Sequence, residues 1–143
     1  MIIVDANILI YAVNNDAPQQ DRCRSWLAGE LASGRPVGLP WTCLLAFVRV
    51  TTHRRLFATP LDSAQAMGIV GSWLDLPNVT APEPGGRHFR ILRELLEGAG
   101  TAGNLTNDAY LAALALEFGG KIATLDRDFA RFDVPLVIPP QPA

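Results

Sequence analysis

Lysine is nearly absent from this chain: of 12 basic residues among 143, 11 are arginine and only Lys121 is lysine. Histidine and cysteine are as scarce, two of each: His53, His88, Cys23 and Cys43. The cysteines form neither a CxxC pair nor a Cys/His metal spacing, and both sit among apolar neighbours, so they read as buried free thiols. No GxSxG elbow occurs, and neither histidine has a Ser or Cys partner in a recognisable motif, which excludes a nucleophilic triad. Both histidines are expected at the surface. There is no GxxxxGK[ST] loop, so nucleoside triphosphate binding has no support. No apolar run approaches the roughly 20 residues of a membrane span, and the N-terminus lacks the basic stretch and cleavage site of a secretory signal. The chain is read as cytoplasmic, with no membrane partner.

What is present is a compact composition, 49% hydrophobic and 18% charged. A chain of this length forms one domain that buries about two thirds of its unfolded surface. Residues 1–138 are read as that single domain, and the proline-rich end 139–143, "PPQPA", as a loose tail. The net charge of −2 does not exclude a nucleic-acid substrate, because local patches matter more than the total. The preference for arginine suits bidentate phosphate contacts, and a coding bias would produce it equally well.

Along the chain, strands alternate with helices. "MIIV" is a buried strand and "NILIYAVN" a short helix. "QDRCRSWLAGELAS" spaces its apolar residues for a helix stopped by Gly34. "RPVGLP" is a strand and "WTCLLAFVRVTT" a strongly apolar helix carrying Arg49. A cap at Asp62 or Ser63 opens the next helix, "NVTAPEP" is extended, and "RHFRILRELLEG" is an amphipathic helix with Arg87, Arg90 and Arg93 on one side. "TAGNLTN" is a loop whose Thr106 or Asn107 caps "DAYLAALALEFG". "KIATL" and "PLVI" are the last strands. This alternation predicts an α/β sandwich with a mainly parallel sheet.

Functional groups in such sheets collect outside the carboxyl ends of the strands. Asp5 interrupts the first apolar run where strand one gives way to its helix. Asp108 lies in the first turn of a later helix, and Asp126 and Asp128 follow the strand "KIATL". Singly, each has a bland reading, as a helix cap, a dipole partner or a solvated turn. Together they place three or four carboxylates at one sheet edge. Like charges that close repel unless a cation neutralises them, and hard oxygen donors suit Mg²⁺ or Mn²⁺. Such an ion activates water for attack on a phosphodiester. A phosphatase of haloacid-dehalogenase type would need a second aspartate where Asn7 stands.

"VDANILIYAVN", "LTNDAYLAALALEFGGKIATLDRDF" and the total length together resemble the PIN-domain ribonucleases, in particular the VapC toxins of type II toxin–antitoxin modules. The resemblance spans the chain and implies a three-layer α/β/α sandwich. It also implies a Mg²⁺-dependent endoribonuclease in which Mn²⁺ substitutes, inhibited by a VapB-like antitoxin that folds over the active-site groove, with dimerisation through helices. The family's metal-binding aspartates match Asp5 and Asp108, and its acid after the fourth strand matches Asp126, with Asp128 accessory. Asn7 and Thr124 match its small polar and hydroxyl residues, able to hold a carboxylate or the attacking water.

One departure stands out: many members carry a glutamate three residues before the arginine of the third helix, where this chain has Ala46. Asp128 is the first candidate to replace it, with Glu83 and Glu94 left open; Glu117, nine residues after Asp108, falls on the opposite helix face. The loss of an acid leaves a non-cleaving domain that binds RNA or a protein partner as the alternative. Arg49 is expected to pair with one of the aspartates, its other reading being a phosphate contact. Arg54, Arg55, Arg87 and Arg90 could track an RNA backbone. Trp26, Trp41 and Trp73 are assigned to packing or a subunit interface rather than to base stacking.

Overall fold

The computed structural model of the protein describes residues 1–141. Its first strand, β1 (Ile2–Val4), is short, apolar and central. Around it lie β2 (Val37–Gly38), β3 (Val79–Thr80), β4 (Lys121–Ala123) and β5 (Leu136–Val137), in the order β3-β2-β1-β4-β5. All four pairings are parallel, with Ile2 opposite Val37 and Lys121, and Val4 opposite Ala123. Parallel strands need crossovers. Helices α1 (Ala6–Val13) and α2 (Gln20–Ala32) join β1 to β2, and α3 (Trp41–Thr51) and α4 (Ser63–Leu74) join β2 to β3. Helices α5 (His88–Ala99) and α6 (Thr106–Glu117) join β3 to β4, and a 3-10 turn at Arg127–Arg131 lies between β4 and β5. The expected α/β sandwich on a parallel sheet is therefore present, its strands shorter than the apolar runs suggested.

Two helical groups cover the sheet. Helix α1 packs against α2 and α3, and α3 against α4; α5 pairs with α6, which lies on β1 and β4. The core joins Ile3 and Val4 of β1 to Ile8 and Leu9 of α1, Leu44 and Phe47 of α3, Leu114 of α6 and Ile122 of β4. Phe47 meets Trp73 of α4 edge-on, ring centroids 5.0 Å apart. Cys23 and Cys43 are buried and free, as expected.

The chain leaves β1 towards β2 and β3, then returns across the sheet to β4 and β5. The reversal makes the gap between β1 and β4 the switch point, where ligands bind in open parallel sheets. Two glycines hold this geometry. Gly34, at φ +76°, ends α2 in the left-handed conformation expected of a stop. Gly120 lets β4 enter beside β1, since a Cβ there would lie 2.1 Å from the Met1 carbonyl oxygen.

Several local expectations give way. A 3-10 turn at Gly103–Leu105 precedes α6, which begins at Thr106 itself. Thr106 and Asn107 are thus inside the helix rather than capping it, and the Thr106 hydroxyl donates to the Gly103 carbonyl. At α4 the cap is Asp62, in a reciprocal box with Gln65. His88 is buried rather than exposed, packed edge-on against Tyr110 with Nδ1 3.9 Å from Glu117 Oε1. His53 does lie at the surface. The proline-rich end is held at its first residue, where the Arg22 guanidinium donates to the Pro139 carbonyl. Residues 142–143 of that end lie outside the described residues.

Candidate active site

Asp5 follows β1 directly, and its amide donates to Ala123 of β4 at 2.9 Å, locking it to the switch point. It stands at the N-cap position of α1 but its side chain makes no capping bond. Instead its Oδ2 accepts from the Thr124 hydroxyl at 2.7 Å. The same hydroxyl oxygen accepts from Asn7 Nδ2 at 3.2 Å and from the Asp126 amide at 2.9 Å. A hydroxyl has two lone pairs and one proton. Both lone pairs are taken by N–H donors, so the proton can only point at Asp5. Thr124 is fully buried, which fixes this arrangement against competition from water. The Leu125 amide points at Asn7 Oδ1 at 3.4 Å, and the Asp128 amide donates to Asp126 Oδ1 at 2.9 Å.

Asp108 enters from the first turn of α6. With Asp5 it lines a cleft of about 120 Å³ whose other walls are Ala6, Thr42, Cys43, Ala46, Asn107 and Leu111. Helix α3 forms one side of that cleft and α6 the other.

The electrostatics are those of crowded, uncompensated acids. Burial raises the pKa of Asp5, the bonds from Thr124 and the Ala6 amide oppose this, and the charge of Asp126 adds to it. Asp108 is pushed up to about 6, by burial first and then by the charges of Asp126, Asp5 and Asp128. Cys43 is held protonated, its thiol pushed up to about 12 by burial and by the nearby Asp5. Among the described residues no arginine or lysine forms an ion pair with any of the four aspartates.

The donor set fits a small divalent cation, which would relieve this repulsion through oxygen ligands. Among the described residues no three acidic, histidine or cysteine side chains stand as a closed chelating set. Mg²⁺ asks for no such cage: it takes one or two carboxylates and retains several waters.

The remaining sequence candidates fall in different places. The ion pair expected of Arg49 is not formed; its side chain is exposed on α3, one turn beyond Ala46. Arg54 and Arg55 are exposed in the turn after α3. Arg87 sits at the start of α5, its guanidinium donating to the Glu117 carbonyl at 2.6 Å. Glu117 is nine residues along α6 from Asp108, about 14 Å at 1.5 Å per residue. Its carboxylate accepts from the Gly85 and Arg87 amides, which lower its pKa, so it serves the far end of the helix pair. Arg90 is exposed on α5, and Arg93 pairs with Glu97. Of the candidate replacement acids, Asp128 acts on Asp108, whereas Glu83 acts on Tyr110. Sequence reading missed Thr42, Asn107 and Leu111 as cleft residues. Thr42 was accessible to it, being one helical turn before Ala46.

Comparison with known proteins adds the following. The PIN domain family matches residues 2–135. The chain is 44% identical over 133 residues to a Mycobacterium tuberculosis protein named Ribonuclease VapC37, covering 93% of this chain and 92% of that one. Ribonuclease VapC33 of the same species is 41% identical over 132 residues, covering 92% of each. Among solved structures, VapBC2 from Rickettsia felis, bound to a DNA fragment from its promoter, superposes with TM-score 0.69 at 20% identity, over 96% of this chain and 98% of that one. FitAcB from Neisseria gonorrhoeae superposes with TM-score 0.66 at 19% identity, over 97% of this chain and 98% of that one. At such identities these two show the shared fold.

Proposed function

This chain belongs to the PIN-domain family, and on that premise we propose that it is a metal-dependent endoribonuclease, the toxic half of a type II toxin–antitoxin module. The carrying observation is the convergence of Asp5, Asp108, Asp126 and Asp128 at one sheet edge with, among the described residues, no basic residue paired to them.

Asp5 and Asp108, which line the cleft, would hold Mg²⁺, or Mn²⁺ in its place, through their carboxylates. Asp126, the third expected ligand, would act with Asp128 through retained waters and charge. Such an ion, when bound, would supply positive charge at a phosphodiester and acidify a water for attack on it. The protein's own part is orientation. Thr124 fixes one oxygen of Asp5, Asn7 and the Asp126 amide fix Thr124, and the Asp126 carboxylate is steadied by the Asp128 amide. Arg49, Arg54 and Arg55, exposed on and beyond the outer part of α3, are assigned to the RNA backbone, with Arg90 a more distant contact. Arg87 was a candidate for the same role; its bond to Glu117 turns it to the remote end of α6.

A VapB-like antitoxin is the proposed protein partner, covering the acidic cleft, and a homodimer the proposed state of the toxin. No helix among the described residues is long and apolar enough to cross a membrane, which accords with action on cytoplasmic RNA.

The test is incubation of the antitoxin-free protein with total RNA and Mg²⁺ or Mn²⁺, with new ends mapped by sequencing. The expected result is site-specific cleavage, abolished by EDTA and by the Asp5→Asn, Asp108→Asn double variant. Equal cleavage by the double variant would remove the assigned site. A second reading rests on Ala46, which leaves α3 without an acid: a domain that binds RNA or a protein partner without cutting. Mn²⁺ binding with no cleavage under any condition would favour it.

A further inference from the structure

Helix α3 forms a whole wall of the acidic cleft yet brings no carboxylate to it. Three of its side chains line that wall, Thr42, Cys43 and Ala46. Ala46 ends at a methyl group and offers no polar atom. Cys43 is buried, with the Thr42 hydroxyl beside its thiol. Only Thr42 is both exposed and equipped with an oxygen. It lies one turn before Ala46 on the same helix face, across the cleft from Asp108.

We propose that the Thr42 hydroxyl is the contribution of α3 to the metal centre, hydrogen-bonding a water of the bound ion where an acid one turn further along is missing. The inference rests on reading the cleft as a divalent-metal site. It accounts for how the wall opposite Asp108 engages a hydrated ion without a charge: a neutral donor and acceptor suits water bound to Mg²⁺, which keeps much of its hydration shell. It adds no further repulsion to Asp5 and Asp108, already crowded by Asp126 and Asp128.

Two variants decide it. Thr42→Val keeps the branched shape and removes the hydroxyl, while Thr42→Ser keeps the hydroxyl and removes the methyl. Mn²⁺ is titrated calorimetrically into metal-free wild type and both variants, and cleavage of the mapped RNA is measured alongside. Loss of such an outer contact costs about 10–100-fold in metal affinity or activity. Thr42→Val is therefore expected to bind Mn²⁺ about tenfold more weakly and to lose kcat by a similar factor with KM held. Thr42→Ser is expected to retain wild-type values. Equal Mn²⁺ affinity in wild type and Thr42→Val, or an equal deficit in both variants, would overturn the proposal. A wild type that binds no Mn²⁺ overturns the proposal together with the metal-site reading. A wild type that binds Mn²⁺ but cuts no RNA removes the nuclease reading alone, and the affinities of the variants still decide the role of Thr42.

Discussion

Replacing the catalytic candidate Asp108 by asparagine should make the metal-free protein more stable. The carboxyl of Asp108 is pushed from 3.8 to about 6 on folding, by burial and then by Asp126, Asp5 and Asp128. A pKa raised in an acid means that the folded state binds its proton more tightly than the unfolded chain does. Above pH 6 the group is ionised in both states, and the fold bears the full cost. Between 6 and 3.8 the native state is the more protonated, so stability rises as pH falls, until the penalty vanishes near 3.8. A shift of about two units corresponds to about 3 kcal/mol at neutral pH, and solvent screening of this part-exposed group brings it to about 1–2 kcal/mol. Asparagine also forfeits the attraction of an acid to the helix N-terminus, about 0.3–1 kcal/mol. The net gain is about 1 kcal/mol, equivalent to a Tm increase of about 2–4 °C. Thermal melts in EDTA at pH 7.5 should show that increase, and melts near pH 4 should show it gone. Saturating Mn²⁺ should reverse the order, because only the wild type gains ligand-binding stability. An Asp108→Asn protein that melts at or below the wild-type temperature in EDTA at pH 7.5 would refute the view of Asp108 as an uncompensated charge.

Thr124→Val removes the donor to Asp5 and leaves Asn7 Nδ2 and the Asp126 amide without an acceptor. Urea unfolding should show a loss of about 1–3 kcal/mol, and cleavage should fall about 10–100-fold. Gly120→Ala places a Cβ against the Met1 carbonyl and forces β1 from β4. Overpacking typically costs about 1–3 kcal/mol; a backbone clash this close should exceed that, and a wild-type Tm would contradict the strand register. Asp62→Ala dismantles the capping box of α4, far in sequence from the acidic residues. It should cost about 1 kcal/mol in chemical denaturation and leave the cleavage rate unchanged.

The legible parts of this protein share a physical character. Asp5 stood out because a carboxylate inside an apolar strand-to-helix junction is costly unless the sheet edge uses it. Asp108 could be placed in the first turn of its helix from the polar run "NLTN" before the apolar period. What local pattern misses is set by contacts between distant segments. The start of α5 is one case: the carboxylate of Glu117 accepts the amides of Gly85 and Arg87, some 30 residues upstream. That anchor turns His88 inward and leaves Phe89 73% exposed, the inverse of what their polarity suggests. Arg49 is another case. Its position on α3 follows from periodicity, but the direction of a long side chain at the helix surface does not, and the pairing expected of it is absent. The 3-10 turn before α6 was hidden because Thr106 and Asn107 are as acceptable inside the first turn as before it.

The bond between Asp5 and Thr124 joins residues 119 positions apart. During synthesis at about 5–20 residues per second, Asp5 exists for roughly 6–24 s before Thr124 is made. In that interval β1 has no β4 beside it, and the strand at the centre of the finished sheet is an unpaired edge. The nascent chain thus carries its first acid with neither the hydroxyl that aims it nor Asp126 and Asp128. Timing is built into the topology: the acidic cluster cannot assemble around Asp5 until the chain has been made past Thr124 and Asp128. A product broken off before Thr124 keeps Asp5 and Asn7 without the hydroxyl that links them.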